Sequence, residues 1–547
     1  MASDLKMALI QENFLVGDTF GNTEKIISLA KQQAQQGMDL VVFPELAITG
    51  YPPEDLLLRP AFLRQIEECI KKISHQVSGI DIVFGAPRSG TGDEAGKLFN
   101  SAFWLRDGQV LAVYDKKDLP NYAVFDEKRY FSAGQGASIV EIKGHKMALL
   151  VCEDIWQSEP AMQAMNAGAQ HLLVLNASPF HQHKNQQRLA ELKQRAAETG
   201  CNIFYLNMFG GQDELVFDGN SLIVASNQTL ISRAAAFQAD IINSVLQADG
   251  SLSSDHNAPA EQSHLADVYQ ALVLGVKDYV DKNAFKGVLI GLSGGVDSAL
   301  TLAIAADAVG SDRVRAVMMP SRYTADMSFE DAESEAKLLG VQYQVISIEQ
   351  PFEAFLETLH EPLLKGTDAD TTEENIQARC RGLMLMAISN KTGFMVLTTG
   401  NKSEMAVGYA TLYGDMSGGF APLKDISKTL VYDLCRYRNS LDHVIPERVL
   451  TRPPSAELAP GQVDQDNLPP YDVIDAILEM SVEKDMPVAA IVEAGYDLDT
   501  VERIISMVQR NEYKRRQAAP GVRITRRAFG RDRRYPITSG YRRNKIK

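Results

Sequence analysis

Long apolar runs are missing from this 547-residue chain, and none approaches the roughly eighteen residues a membrane-spanning helix needs. Residues 1–11 show no basic start leading into an apolar centre and a cleavage site. No membrane span and a cytoplasmic location are therefore expected. Cysteine is scarce: five residues, at 69, 152, 201, 380 and 435, widely spaced and never in a CxxC pair. That spacing speaks against a disulfide framework and structural zinc, and it leaves any chemically important thiol to work alone. An overall basic character is also lacking, since the net charge is −15, which disfavours wholesale attraction to nucleic acid. The charge is uneven, however. Residues 510–547 hold fourteen Lys/Arg against two Asp/Glu, which leaves −27 for the rest of the chain, so this stretch calls for an anionic partner. Tyr513, Phe529, Tyr535 and Tyr541 interleave with these charges as in single-strand binders. A solvated extension, a nucleic-acid arm and an ordered flap over an active site all remain open on this ground alone.

What is present is ordinary globular composition, 45% hydrophobic and 23% charged, on a chain long enough for two large domains. In residues 1–246 apolar β-rich runs (Met7 to Gln11, Leu40 to Leu46, Ile80 to Ala86, Met147 to Val151, His171 to Asn176, Asn202 to Met208) alternate with helix-period segments such as Thr23 to Gln36, Arg59 to Val77 and Asn185 to Glu198. Hairpin signals at Arg106-Asp107-Gly108 and Asn227-Gln228 add antiparallel strands to this α/β domain. Residues 247–264 turn polar and loop-forming, which places a linker there. From 265 to 547 a second alternation begins: strand Gly287 to Leu292, helix Ser298 to Val309, strand Val314 to Met319, helix Phe329 to Leu339, strands Tyr343 to Ile348 and Phe394 to Thr399. Strands alternating with helices predict a doubly wound parallel sheet.

Two stretches carry chemistry. In the second half, Gly291-Leu292-Ser293-Gly294-Gly295-Val296-Asp297-Ser298 follows a strand and opens a helix, where free N–H groups and the positive helix end suit a phosphate. It lacks the Gly-Lys-Ser/Thr of a Walker loop. Asp297 in this loop and Glu404, after the strand ending near Leu397, are oxygen donors suited to Mg²⁺ beside a triphosphate. In the first half Cys152 directly follows the strand Met147 to Val151, while Glu45 and Lys116 stand at two other strand ends. A Glu can take a thiol proton and a Lys can stabilise an oxyanion, so three strand ends could form one nucleophilic site. No GxSxG elbow occurs in this half. His181 and His183 read as polar loop residues.

These stretches carry resemblances. The loop at 291–298 resembles the SGGxDS loop of the ATP pyrophosphatases. Phe43-Pro-Glu-Leu46, Lys116-Lys-Asp-Leu-Pro-Asn-Tyr122 and Cys152-Glu-Asp154 together resemble the nitrilase superfamily with its Glu-Lys-Cys triad, here Glu45, Lys116 and Cys152, with Glu127 as a supporting carboxylate. In order along the second half, Glu373-Glu-Asn-Ile-Gln-Ala-Arg379, Thr399-Gly-Asn-Lys-Ser-Glu404, Thr411-Leu-Tyr-Gly-Asp-Met416, Pro454-Ser-Ala-Glu-Leu458 and Lys514-Arg-Arg-Gln517 are similar to the glutamine-dependent NAD⁺ synthetases.

The resemblance implies a nitrilase-like αββα sandwich followed by a parallel α/β domain related to the adenine nucleotide alpha hydrolases. It implies that Tyr122, Ser178 and Lys184 hold glutamine, that Gly291 to Ser298 and Thr399 hold ATP, and that Asn375, Glu404 and Lys514 contact deamido-NAD⁺, with Lys428 in reach of a phosphate. Asp297 and Glu404 would bind Mg²⁺. The implied reaction is ATP-dependent amidation of deamido-NAD⁺ by ammonia from glutamine, in a homo-oligomer with an internal ammonia passage and no nucleic-acid partner. An amidotransferase acting on a purine or tRNA base, and a non-catalytic nucleotide-binding regulator, are the alternatives.

Overall fold

The computed structural model describes residues 2–256, 259, 262–466 and 468–540. Tyr541 and the last six residues of the basic stretch lie outside them. The chain divides into two compact units, Met1–Gln212 with Val216–Gln262, and Asp213–Leu215 with Ser263–Lys547.

The first unit is a four-layer α/β sandwich. One sheet has seven strands in the order Leu252–Ser254, Asp240–Leu246, Leu5–Gln11, Leu40–Val42, Asp81–Ser89, Leu98–Arg106 and Gln109–Asp115. The other has six: Leu230–Arg233, Leu222–Val224, Asn202–Asn207, His171–Asn176, His145–Val151 and Ile139–Ile142. Both mix parallel and antiparallel pairs. The Asp107-Gly108 hairpin forms with both residues at positive φ, +44° and +81°, the mirror-image turn that matches strand twist. An apolar core fills the space between the sheets, with Met7, Leu9, Val83 and Trp104 from one and Leu149, Leu173 and Phe204 from the other. Helices Thr19–Gln35 and Pro60–Gln76 pack together as one outer layer, Ser158–Asn166 and Lys184–Thr199 as the other. Asp18 caps the first of these by accepting from Gly21 N at 2.9 Å.

The stretch expected as a loop at 247–264 contributes a strand: Leu252–Ser254 pairs antiparallel with Asp240–Leu246, so its polar backbone completes the ladder. The strand expected over Leu40 to Leu46 ends at Val42. Pro44 offers no N–H, and Leu46 takes φ +47°, which turns the chain out of the ladder.

The second unit is built on four parallel strands in the order Gln342–Val345, Val314–Met318, Val288–Gly291, Met395–Leu397. Sequence order reverses beside Val288–Gly291, the position where open α/β sheets bind ligands past their strand ends. On one face, Leu289, Val317 and Val396 pack on Phe352 and on Cys380 and Leu385 of the helix Thr371–Thr392. That helix, held at its start by an Asp370/Glu373 capping box, spans the motif Glu373 to Arg379. A helical subdomain follows, its core formed by Ile474, Ile477, Ile491, Val501, Ile504 and Phe529. Among the described residues no helix is long and apolar enough to cross a membrane, and all five cysteines are free and buried.

Candidate active sites

In the first unit the chain delivers three reactive groups from three strand ends. Lys116 follows the strand Gln109–Asp115, its N–H fixed on Asn100 O at 2.8 Å. Glu45 lies in the segment leaving the strand Leu40–Val42, where Gly85 N donates to Pro44 O at 3.1 Å. A Cβ at Gly85 would come within 2.2 Å of Leu46 N, so only glycine lets the Glu45 segment cross the neighbouring strand this closely. Cys152 opens the 3₁₀ turn Cys152–Ile155 after the strand His145–Val151, with φ +47°. A non-glycine residue in this left-handed region is strained, and such strain concentrates at functional sites.

The side chains meet in a dry cluster. Lys116 Nζ stands 2.9 Å from Glu45 Oε1 and 2.9 Å from Glu127 Oε1. Asn100 Nδ2 donates to Glu45 Oε1 at 2.7 Å and Ala177 N to Glu45 Oε2 at 2.8 Å, while Tyr51 Oη donates to Glu127 Oε1 at 3.0 Å. Burial pushes the Cys152 thiol well up, as does the Glu45 carboxylate, and Lys116 opposes them. The resting thiol is therefore protonated and needs a base. Burial also raises Glu127, against the pull of Lys116. Burial alone would lower Lys116, but Glu127 and Glu45 overcome it and raise its pKa, which keeps the ammonium charged.

The residues assigned to glutamine lie around this cluster. Tyr122, exposed, donates its hydroxyl to Glu153 Oε1 at 2.9 Å. Ser178 is buried with its N–H on Asn207 Oδ1 at 2.9 Å. The Lys184 ammonium sits 3.7 Å above the Trp156 ring, and burial brings its pKa down to about 8, with Arg188 adding to the effect and Cys152 and Glu153 opposing it. Glu153 is raised by burial. Beyond Lys116, Glu45 and Glu127, the site thus offers one further cation, Lys184, and one further carboxylate, Glu153, near the thiol.

In the second unit the Gly-rich loop leads from the strand Val288–Gly291 into the helix Val296–Val309. Its N-cap, Gly295, brings no capping side chain, so the first-turn N–H groups stay available to an anion. Gly294 has φ +77°, and a Cβ there would lie 2.4 Å from Ser328 O. Beside the loop Asn401 donates from Nδ2 to Asp297 Oδ1 at 2.7 Å and accepts from Glu404 N at 3.0 Å. Lys428 Nζ bridges Asp297 and Glu404, 3.0 Å from Glu404 Oε1. Burial raises Glu404, with Asp297 adding to it and Lys428 opposing, while the two carboxylates outweigh burial to raise Lys428.

A cavity of about 760 Å³ collects nearly all the residues singled out in this half: Gly291, Leu292, Ser293, Gly295, Val296, Asp297, Ser298, Asn375, Thr399, Glu404, Lys428 and Lys514. Gly294 is not among the lining residues. Asn375 Oδ1 accepts from Thr411 Oγ1 at 2.7 Å, and Lys514 Nζ donates to Gly408 O and Ala410 O at 2.9 and 2.8 Å. The described part of the basic stretch is braced by its own carboxylates, Glu512 and Asp532, and held from outside by Asp425 and Asp485. Asp425 accepts from Ile524 N and Thr525 N, Glu512 pairs with Arg515 and Arg533, and Asp532 with Arg523.

Asp297 and Glu404 form a pair of hard oxygen donors on either side of the Lys428 ammonium. Among the described residues no group of three or more His, Cys, Asp or Glu is placed to hold a metal, so a divalent cation here would draw its other ligands from phosphate and water. Asn100, Glu153, Asn401 and Arg381, whose Nε donates to Met319 O at 2.9 Å on the cavity wall, had no signal as single residues. Only Asn401 and Glu153 could have been suspected, each standing inside a motif.

Comparison with known proteins matches one family to each half of the chain. Residues 6–252 match the carbon-nitrogen hydrolase family and 268–518 the NAD synthase family. Glutamine-dependent NAD(+) synthetases from Xanthomonas campestris and Acinetobacter baylyi are 49% and 47% identical, over 99% and 98% of this chain and 98% and 99% of theirs. The structure of the Acinetobacter baumannii synthetase in complex with ADP is 46% identical at TM-score 0.80, covering 99% of this chain and 100% of that one.

Proposed function

The chain belongs to the glutamine-dependent NAD⁺ synthetases, ligases that form a carbon-nitrogen bond with glutamine as amide donor and ATP as co-substrate, and from that premise we propose how its own residues divide the work. Cys152 attacks the glutamine carboxamide carbon. Glu45 takes the thiol proton and passes it to the departing ammonia, while Lys116 stabilises the oxyanion of the tetrahedral adduct. Water, activated by Glu45, then cleaves the thioester to glutamate. Lys184 holds the α-carboxylate of glutamine and Glu153 its α-ammonium, with Tyr122 and Ser178 completing the pocket.

In the second unit the loop Gly291 to Ser298 and Thr399 hold the ATP phosphates. Asn375, Glu404 and Lys514 hold deamido-NAD⁺ so that its nicotinate carboxylate reaches the α-phosphorus and expels pyrophosphate. Ammonia attacks the resulting acyl adenylate and AMP leaves. Lys428 offsets phosphate charge. Mg²⁺, held by Asp297 and Glu404, would supply further neutralisation of the triphosphate.

The observation that carries this division is the placement of Lys116 between two buried carboxylates in the cluster that contains Cys152, in a unit separate from the nucleotide-sized cavity. The decisive comparison is Cys152→Ala with each nitrogen donor. Ammonium-driven NAD⁺ formation persists and glutamine-driven formation disappears; survival of the latter refutes the assignment.

Two coarser readings complete the proposal. The enzyme works in the cytoplasm, and it is a homo-oligomer. The strand Gln109–Asp115 is a sheet edge exposing Val110 and Leu111, a surface that soluble proteins usually cover. Light scattering on the purified protein checks the oligomer.

A further inference from the structure

Asp154, two residues beyond the thiol, is fully withdrawn from solvent and accepts four hydrogen bonds. Its Oδ2 takes Val151 N at 3.1 Å and Tyr114 Oη at 2.9 Å. Its Oδ1 takes Lys117 N at 3.1 Å and Asp118 N at 2.9 Å. Val151 and Asp154 flank the turn that carries Cys152, while Tyr114, Lys117 and Asp118 flank Lys116. One carboxylate therefore ties the backbone around the thiol to the backbone around the lysine, across the two sheets of the sandwich.

Such a tie has a task here. Cys152 sits at φ +47°, a conformation that persists only when its surroundings impose it. Lys116 can meet the developing oxyanion only if its strand end keeps a fixed distance from that turn. The bond from Val151 N to Oδ2 closes the turn from within, and the paired bonds from Lys117 N and Asp118 N grip the loop that follows the lysine. Neither the thiol nor the ammonium is hydrogen-bonded to Asp154; Lys116 feels its charge, and the hydrogen bonds themselves set backbone placement.

We propose that Asp154 is a positioning residue for glutamine hydrolysis, holding the Cys152 turn and the Lys116 loop in register. The inference rests on Cys152 being the nucleophile. An amide at this position keeps the size but has only one acceptor oxygen, so its NH₂ would face N–H donors that it cannot satisfy.

The test uses the full chain with Asp154→Asn, Tyr114→Phe and Cys152→Ala. Five quantities are measured: glutamine kcat and KM, ammonium-driven kcat, the rate of Cys152 alkylation by a glutamine-like chloroketone, and the melting temperature. For Asp154→Asn the glutamine kcat falls about a hundredfold, the loss that a displacement of order 1 Å brings at a reacting group. Alkylation slows to match, glutamine KM stays within about threefold because substrate contacts are untouched, and ammonium-driven kcat is unchanged. Tyr114→Phe leaves the three backbone donors, and both glutamine kcat and alkylation fall about twofold to fivefold, the worth of one hydrogen bond. Wild-type kcat and alkylation in Asp154→Asn, or a rise in KM alone, overturns the proposal. If Asp154→Asn does not fold, Tyr114→Phe decides, and unchanged alkylation there overturns it as well. Glutamine turnover surviving in Cys152→Ala instead removes the nucleophile assignment, a separate failure.

Discussion

Lys116 Nζ and Glu45 Oε1 lie 2.9 Å apart with no solvent access to either side chain. Breaking a buried pair from one side costs about 3–5 kcal/mol, because the other charge stays behind. Lys116→Met strands both Glu45 and Glu127, so its melting temperature drops and its glutamine-driven kcat falls by about 10²–10³, the worth of an oxyanion donor. Glu45→Gln removes the base and lowers the same rate by about 10²–10⁴. Below their melting points both variants keep ammonium-driven synthesis. A parallel loss with both donors would contradict this division of labour.

The role proposed for Lys184 predicts an alkaline limit for glutamine hydrolysis. Its pKa is brought down to about 8 by burial, so the ammonium is charged below that pH and neutral above it. Only the charged form attracts the α-carboxylate of glutamine. The ratio kcat/KM for glutamine, which reports the free enzyme, is expected to fall as pH climbs through about 8, mainly through KM. Lys184→Arg keeps its charge and moves the limit to higher pH. A limit that stays in place in that variant assigns the titration to another group.

Lys428 separates two carboxylates that would otherwise repel. Lys428→Met leaves Asp297 and Glu404 facing each other in the cavity and removes a phosphate partner, so pyrophosphate release falls about a hundredfold or more with either nitrogen donor. Alkylation of Cys152 by the chloroketone proceeds at the wild-type rate. Full synthetase activity in this variant would show the bridge to be dispensable.

The docked basic stretch depends on Asp425. Besides Ile524 N and Thr525 N it pairs with Lys402 Nζ at 2.9 Å, and all of these groups are buried. Asp425→Ala leaves Lys402 with Glu483 and the Thr525 hydroxyl, and the stability lost is about 3–5 kcal/mol. Limited proteolysis is expected to cut after Arg523, Arg526 or Arg527 much faster than in the wild type. An unchanged digestion pattern would mean that other contacts hold this segment.

The sequence determined the local chemistry: a phosphate loop between a strand and a helix, a thiol at the end of a strand, hairpins at Asp107-Gly108 and Asn227-Gln228. These signals are local because turn geometry, capping and side-chain periodicity act over a few residues. It also showed the charge of the C-terminal stretch, but not its fate, since no count of arginines tells which will meet Glu512 or Asp532, or that Asp425 will take the backbone N–H groups of Ile524 and Thr525. Glu45 and Lys116 belong to one sheet and Cys152 to the other, so only the stacking of the two sheets brings them together. Likewise Asp297 and Glu404 meet because two parallel strands distant in sequence lie side by side. The partners of Asn100, Asn401 and Asp154 were hidden for the same reason, although the last two stand inside motifs. Their roles consist of hydrogen bonds to groups 55, 104 and 37 positions away, and such distances along the chain are closed by tertiary packing alone.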